Sequence, residues 1–188
     1  RAAILSGVCD LLYQSGEAIA QDMSTPLCLA IGYSKREIGT VVRLFGFSAT
    51  ILGGLLGGVL ILRLGIFRAL WRFGILQGVS TAGFALLALL GDHLGGLAAV
   101  IAFENLSGGM GTAAYIAFMA SLTNQRFTAT QYALLTSFMG IPRVMAAAPT
   151  GYMVESMGWF SFFLFCTLIA LPGLWLLSWL RRRETALA

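Results

Sequence analysis

Charge is scarce in this chain. Its 188 residues carry 12 Lys and Arg and 8 Asp and Glu, 11% in all, against 58% hydrophobic residues. A soluble domain holds about 25% charged residues, so the deficit excludes an ordinary water-soluble enzyme or binding module. Histidine is rarer still: the single His93 stands beside Asp92 between two apolar runs, which leaves no histidine cluster for a metal. The three cysteines, Cys9, Cys28 and Cys166, are odd in number and lack metal or redox spacing, so they read as packing residues. The net charge of +4 is not a nucleic-acid signal, because the arginines gather at the ends of apolar runs. No cofactor is expected. No cleavable signal peptide is seen, and the chain starts at Arg1 rather than Met, so it reads as a fragment of a longer protein.

What the chain has in place of charge is long apolar runs, with a mean hydropathy of +0.84. Six of them, at about 3–31, 37–62, 66–90, 95–122, 129–155 and 159–180, are each long enough to cross a bilayer, which takes roughly 20 residues. The connections are short: Tyr33 to Arg36, Leu64-Gly65, Gly91 to His93, Thr123 to Thr128, and Ser156 to Gly158. No soluble domain fits between them. The expected fold is an all-α integral membrane bundle of six transmembrane helices. Lys and Arg set its orientation. Arg1, Arg63, Arg68, Arg72, Arg126, Arg181, Arg182 and Arg183 fall on one side, against Lys35, Arg36 and Arg43 on the other, with Arg143 mid-span. That bias makes both termini of the chain cytoplasmic.

The polar residues inside the runs are where function is expected. In the fourth span, Glu104 and Asn105 stand in the stretch AFENLSGGMGT, about 14 Å in from the outer face. An acid at that depth costs on the order of 3 kcal/mol unless it is paired or faces water. Glu104, Ser107, Gly108, Gly111 and Tyr115 share one helical face, polar and small, while Gly108, Gly109 and Gly111 weaken the helix locally. A solvated path through the membrane is the expectation, with close helix packing around a buried pair as the alternative. In the first span, Asp10, Tyr13, Gln14 and Glu17 recur at i, i+3, i+4 and i+7, and Gln21, Ser24 and Thr25 continue the stripe. Pro26 is expected to kink that helix at its end.

The second span holds Gly53-Gly54 and Gly57-Gly58, two overlapping GxxxG spacings that permit close backbone contact. Arg63, Gly65 and Arg68 follow at a tight cytoplasmic turn. The third span reads as scaffold, with little polar character beyond Gln77, Ser80 and Thr81. In the fifth, Pro142 and Pro149 are expected to bend the helix, and Arg143 lies about 12 Å from the outer face, a depth that lets it pair with Glu104. Trp159, Trp175 and Trp179 stand near the ends of the sixth span as interfacial anchors.

Taken together, the strings LLYQSGEAIA, FRALWRFGILQG, AFENLSGGMGTAAYIAFMASLTNQRFTATQYALL and PRVMAAAPTGYMVESMGW resemble the C-terminal half of a major facilitator superfamily transporter, and within it the AmpG-type muropeptide permeases. The resemblance covers nearly the whole chain. It implies a twelve-helix core of two six-helix halves around a central cavity, in the bacterial inner membrane, with the N-terminal half as partner. It also implies import of anhydro-muropeptides from periplasm to cytoplasm, driven by protons, serving peptidoglycan recycling and β-lactamase induction. The first and fourth helices of such a half line the cavity. One departure stands out: aligning Gly58, Arg63 and Gly65 with the superfamily's cytoplasmic turn puts Leu62 where an acid is usual, so no gating salt bridge through that acid is expected.

For that transport, an inward-moving proton needs a carboxyl that gives up its charge where desolvation disfavours the ion. Glu17 and Glu104 are the candidates, with Asp10 as a more cytoplasmic relay. Arg143 would hold a substrate carboxylate or keep Glu104 charged, and Tyr13, Gln14, Asn105 and Tyr115 would bond sugar hydroxyls. Three other functions compete. A transporter of another amphiphile, such as an acyl-CoA or a drug, would share the fold. A rhomboid-type intramembrane protease would need a histidine within a span, which the lone His93 does not supply. A purely structural six-helix subunit that dimerises is the third.

Overall fold

The computed structural model describes residues 19–91, 93–122 and 148–184. Among these the chain is helical and forms no strand. Helix α1 covers 19–31. Helix α2 spans Lys35–Leu64 and starts at a capping box: Ser34 Oγ accepts from Glu37 N at 3.2 Å, and the Glu37 carboxylate accepts from Ser34 N at 2.8 Å. Within α2 one π turn, Val42–Gly46, widens the coil. The helix ends at Gly65, whose φ of 78° and ψ of 155° turn the chain straight into α3, Ile66–Leu90. A side chain there would be strained, which is why a two-helix turn this short needs glycine. Helix α4 is Leu94–Leu122. The last run, α5, is Thr150–Glu184, broken at Gly158 where φ is 77°. Pro149 stands just ahead of it, and its carbonyl accepts from Met153 N at 3.1 Å. A proline at that point gives up no helical N–H bond.

Lys35–Leu64, Ile66–Leu90 and Thr150–Ile169 are long and apolar enough to cross a membrane. At 29 residues α4 is about as long as a membrane core requires and more, but Glu104, Asn105 and its glycines dilute it. Large apolar side chains point outward, among them Phe47, Leu55 and Leu62. Lipid is as apolar as leucine, so such helices associate through close packing and hydrogen bonds rather than through burial from water.

Helix α4 is the centre of the described bundle. It packs against α2 on one side and α3 on another, and α5 lies along α3. Two apolar clusters hold these contacts. One, near the α1–α2 and α3–α4 turns, joins Leu27, Ile38, Phe84, Leu97, Phe162 and Phe163, with the Phe84 and Phe163 rings stacked at 5.4 Å. Tyr33 ties the two turns together: its hydroxyl donates to Gly91 O at 3.2 Å and accepts from His93 N at 2.7 Å. The other cluster, toward the α2–α3 turn, joins Leu70, Phe73, Met110 and Phe118.

The α2–α4 crossing is made by glycine. A Cβ added at Gly53 would run into Leu106 O, one at Gly57 would stand 2.9 Å from Met110 Cα, and one at Gly109 would stand 3.0 Å from Gly54 N. Both glycine pairs of α2 offered this spacing; the helix is rotated so that Gly53 and Gly57 take the contact. At Gly54 and Gly58 an added Cβ would meet nothing within 4 Å.

Candidate functional site

Between the two apolar clusters lies a polar layer built by α3 and α4. Gln77, Ser80 and Thr81 share one face of α3, at i, i+3 and i+4, and Glu104 and Ser107 share one face of α4. All five are buried, and Glu104 is only 3% exposed. The layer closes at its centre, where Ser80 Oγ and Ser107 Oγ stand 2.8 Å apart. Each hydroxyl also reaches a carbonyl of its own helix, Ser80 to Gln77 O at 2.8 Å and Ser107 to Glu104 O at 2.9 Å.

The side chains beside that serine pair are not satisfied. Gln77, Ser80 and Thr81 stand near the Glu104 carboxyl, yet neither of its oxygens, nor either polar atom of the Gln77 amide, completes a hydrogen bond. Buried polar atoms without partners are rare because each costs about 1–3 kcal/mol. Two such groups lie side by side here, with Gln77, Ser80 and Thr81 as the polar side chains that face the Glu104 carboxyl.

Glu104 also forms part of the wall of a cavity of about 230 Å³. Gln21, Ser24, Thr25 and Cys28 of α1 line it from one side, Ile38 and Val42 of α2 from another, and Phe84, Ile101 and Asn105 complete the wall. Val42 opens the π turn, whose last residue, Gly46, is so close to α4 that an added Cβ would stand 3.3 Å from Asn105 Nδ2. Asn105 is fixed there: Thr50 Oγ1 is 3.2 Å from its Oδ1, and its Nδ2 donates to Ile101 O at 2.8 Å.

Of the residues predicted for the pathway, the structure thus brings together Glu104 and Asn105 at one cavity, beside the Gln21, Ser24 and Thr25 continuation of the α1 stripe. Tyr115 shares the face of Glu104 but is 8% exposed within the apolar cluster near the α2–α3 turn, and it does not line the cavity. The face named from Glu104 to Tyr115 is therefore no continuous wet path: Ser107, Gly111 and Tyr115 are buried and Gly108 half-buried. Gly109 is wedged against α2. Arg63 and Arg68 are exposed on either side of Gly65. Asp10, Tyr13, Gln14, Glu17, Pro142 and Arg143 lie outside the described residues, and with them the Glu104–Arg143 pair. The residues that sequence reasoning passed over are Gln77, Ser80 and Thr81. A signal existed: Ser80 and Glu104 stand equally far in sequence from Asp92, so folding the two helices back at that turn sets them side by side.

No protein-family model matches the chain. Individual relatives do. It is 45% identical over 168 residues to the anhydromuropeptide permease of Escherichia coli (strain K12), covering 89% of this chain and 34% of that one. Its homologues are AmpG-type permeases. A second, from Rickettsia prowazekii (strain Madrid E) and named as a transporter, AmpG 1, is 40% identical over 167 residues, 89% of this chain and 38% of its own. An uncharacterised protein of Haemophilus influenzae is 41% identical over 175 residues, 89% of this chain and 41% of its own. The chain thus spans between a third and about two-fifths of the length of these relatives. With its apolar helices, this likeness makes the chain part of a multi-pass membrane protein.

Proposed function

We propose that this chain is the C-terminal six-helix half of a twelve-helix transporter of the major facilitator kind. The whole protein imports anhydro-muropeptides, the N-acetylglucosaminyl-anhydro-N-acetylmuramyl peptides released by wall turnover, from periplasm to cytoplasm. The observation that carries this reading is the 45% identity over 168 residues to a permease named for that cargo. The cavity bordered by Glu104 and Asn105 supports it, since a carrier needs polar groups at bilayer depth that cargo or water can reach. Protons drive the uptake, with Glu17 and Glu104 as the carboxyls that take them, Asp10 as relay, and Arg143 as partner of Glu104 or of a substrate carboxylate. Tyr13, Gln14 and Asn105 supply hydrogen bonds to sugar hydroxyls. The protein sits in the bacterial inner membrane with both ends of this segment cytoplasmic, as the Lys and Arg count favours. Its product feeds peptidoglycan recycling and β-lactamase induction. No catalytic step is assigned.

The test is uptake of radiolabelled anhydro-muropeptide by the full-length protein in cells lacking it. Accumulation that unlabelled anhydro-muropeptide suppresses, and that collapses when the proton gradient is dissipated, is the expected result. Suppression by an acyl-CoA or a drug, with no effect of muropeptide, would overturn the cargo assignment.

A further inference from the structure

The cavity beside Glu104 is closed toward the α1–α2 turn and open at about the depth of that residue. Cys28, Ile38 and Phe84, nearer the turns, are buried, whereas Gln21, Thr25 and Val42 of the lining are exposed. A charged residue follows two of those three exposed positions. Asp22 comes after Gln21 on α1, and Arg43 comes after Val42 in the π turn of α2; both are exposed. They stand at one depth, since Asp22 is ten residues before Gly32 and Arg43 ten after Tyr33, about 15 Å from the turn along each helix. The charge count along the sequence groups Arg43 with Lys35 and Arg36, whereas the structure makes it the ninth residue of a helix long and apolar enough to cross a membrane.

Among the described residues, Asp22 and Arg43 pair neither with each other nor with another side chain. A charge held at such depth against lipid costs about 3 kcal/mol, so two of them on neighbouring helices point to water or a bound group there. The polar groups beside them, Gln21, Ser24, Thr25 and Asn105, are neutral. A simple anion would meet the repulsion of Asp22, and a simple cation that of Arg43; a group carrying both charges meets neither. At about 230 Å³ the cavity falls below the roughly 300–1,000 Å³ of pockets that enclose a whole small ligand. It has room for one end of a larger molecule.

We propose that this opening binds the ionised end of a peptide, with Arg43 pairing with a carboxylate and Asp22 with an ammonium group, while the cavity admits a small neutral group beside Asn105. This deepens the transport reading above and rests on it only for placing that peptide within a larger, sugar-bearing cargo.

The probe is a sugar-free peptide, N-acetyl-alanyl-alanyl-lysine, which carries one carboxylate and one ammonium group. Its C-terminal amide and its Nε-acetyl form each lack one of the two charges. Binding to the full-length protein in detergent is read by calorimetry. The expected result is saturable binding of the parent peptide, with either modified form about tenfold weaker, as loss of a charge-assisted hydrogen bond would give. Arg43→Gln should weaken the parent about tenfold and leave the amide unchanged. Asp22→Asn should weaken the parent and leave the Nε-acetyl form unchanged. No binding of the parent, or losses that fall equally on parent and modified forms, would overturn the proposal. So would thermal destabilisation by Arg43→Gln with peptide binding unaltered, the pattern of an ion pair with another part of the protein. The probe carries no sugar, so a wrong cargo assignment would appear as absent muropeptide uptake with this binding pattern intact.

Discussion

Helix α4 meets its two main neighbours in opposite ways. Against α2 it is close, with Gly53, Gly57 and Gly109 letting backbone rest on backbone. Against α3 it is separated by hydroxyls, an amide and a carboxyl, two of them without partners. The first contact has no slack, since the obstacle to any added atom is main chain. The second is joined at mid-depth by the Ser80–Ser107 pair, between the two apolar clusters that also hold α3 to α4. The contrast teaches that α2 meets α4 through main chain, while the α3–α4 seam is where buried polar side chains gather.

Glu104→Gln should have the largest effect, because it keeps the shape of the seam and removes its charge. Uptake by the full-length protein should fall about a hundredfold or more, the usual worth of a positioned proton-transfer group, while thermal unfolding in detergent shifts little. Equal loss of folded protein would mean that the seam is structural like the α2 contact. Glu17→Gln, outside the described residues, should abolish uptake as well; wild-type transport would remove Glu17 from the mechanism.

The rigid side is broken by volume. Gly57→Val should destabilise the protein by about 3 kcal/mol, the upper range for overpacking, whereas Gly58→Val, one residue away with open space beyond it, should stay within about 0.5 kcal/mol. A thermal melt of the two variants side by side reads the difference, and similar shifts would contradict the observed rotation of α2. Tyr33→Phe loses the link between the two turns and should cost about 1 kcal/mol, seen as faster amide exchange around Gly91 and His93. The smallest effect belongs to the serine pair: Ser80→Ala and Ser107→Ala in a double-mutant cycle should show a coupling of about 0.6 kcal/mol.

Much of the fold was readable in the residues because bilayer length and apolar runs leave few choices. Gly32, Gly65, Gly91 and Gly158, the glycines with positive φ among the described residues, stand where the apolar runs are interrupted. Glu104 was conspicuous on cost alone. Other features had no such signal. The choice between Gly53-Gly57 and Gly54-Gly58 depends on how α2 is rotated, which two overlapping spacings cannot tell. Gln77, Ser80 and Thr81 are neutral and individually cheap, so only the register of the α3–α4 hairpin gives them meaning. Tyr115 was placed on the face of Glu104 and stands in the apolar cluster near the α2–α3 turn, since a helical face carries direction and no statement of what stands opposite. The π turn at Val42–Gly46 has no marker in the sequence; its last residue lies against Asn105.

Ser80 and Ser107 hold two hydrogens for three oxygen-to-oxygen approaches, one between themselves and one to each backbone carbonyl. Two fillings are favourable, and they run in opposite directions along the row. Spinning the hydroxyls converts one into the other and reverses a small electric dipole lying beside Glu104, with every heavy atom left in place. The bundle thus contains a two-position compass needle able to follow the arrival or departure of charge next to it before any helix has begun to tilt.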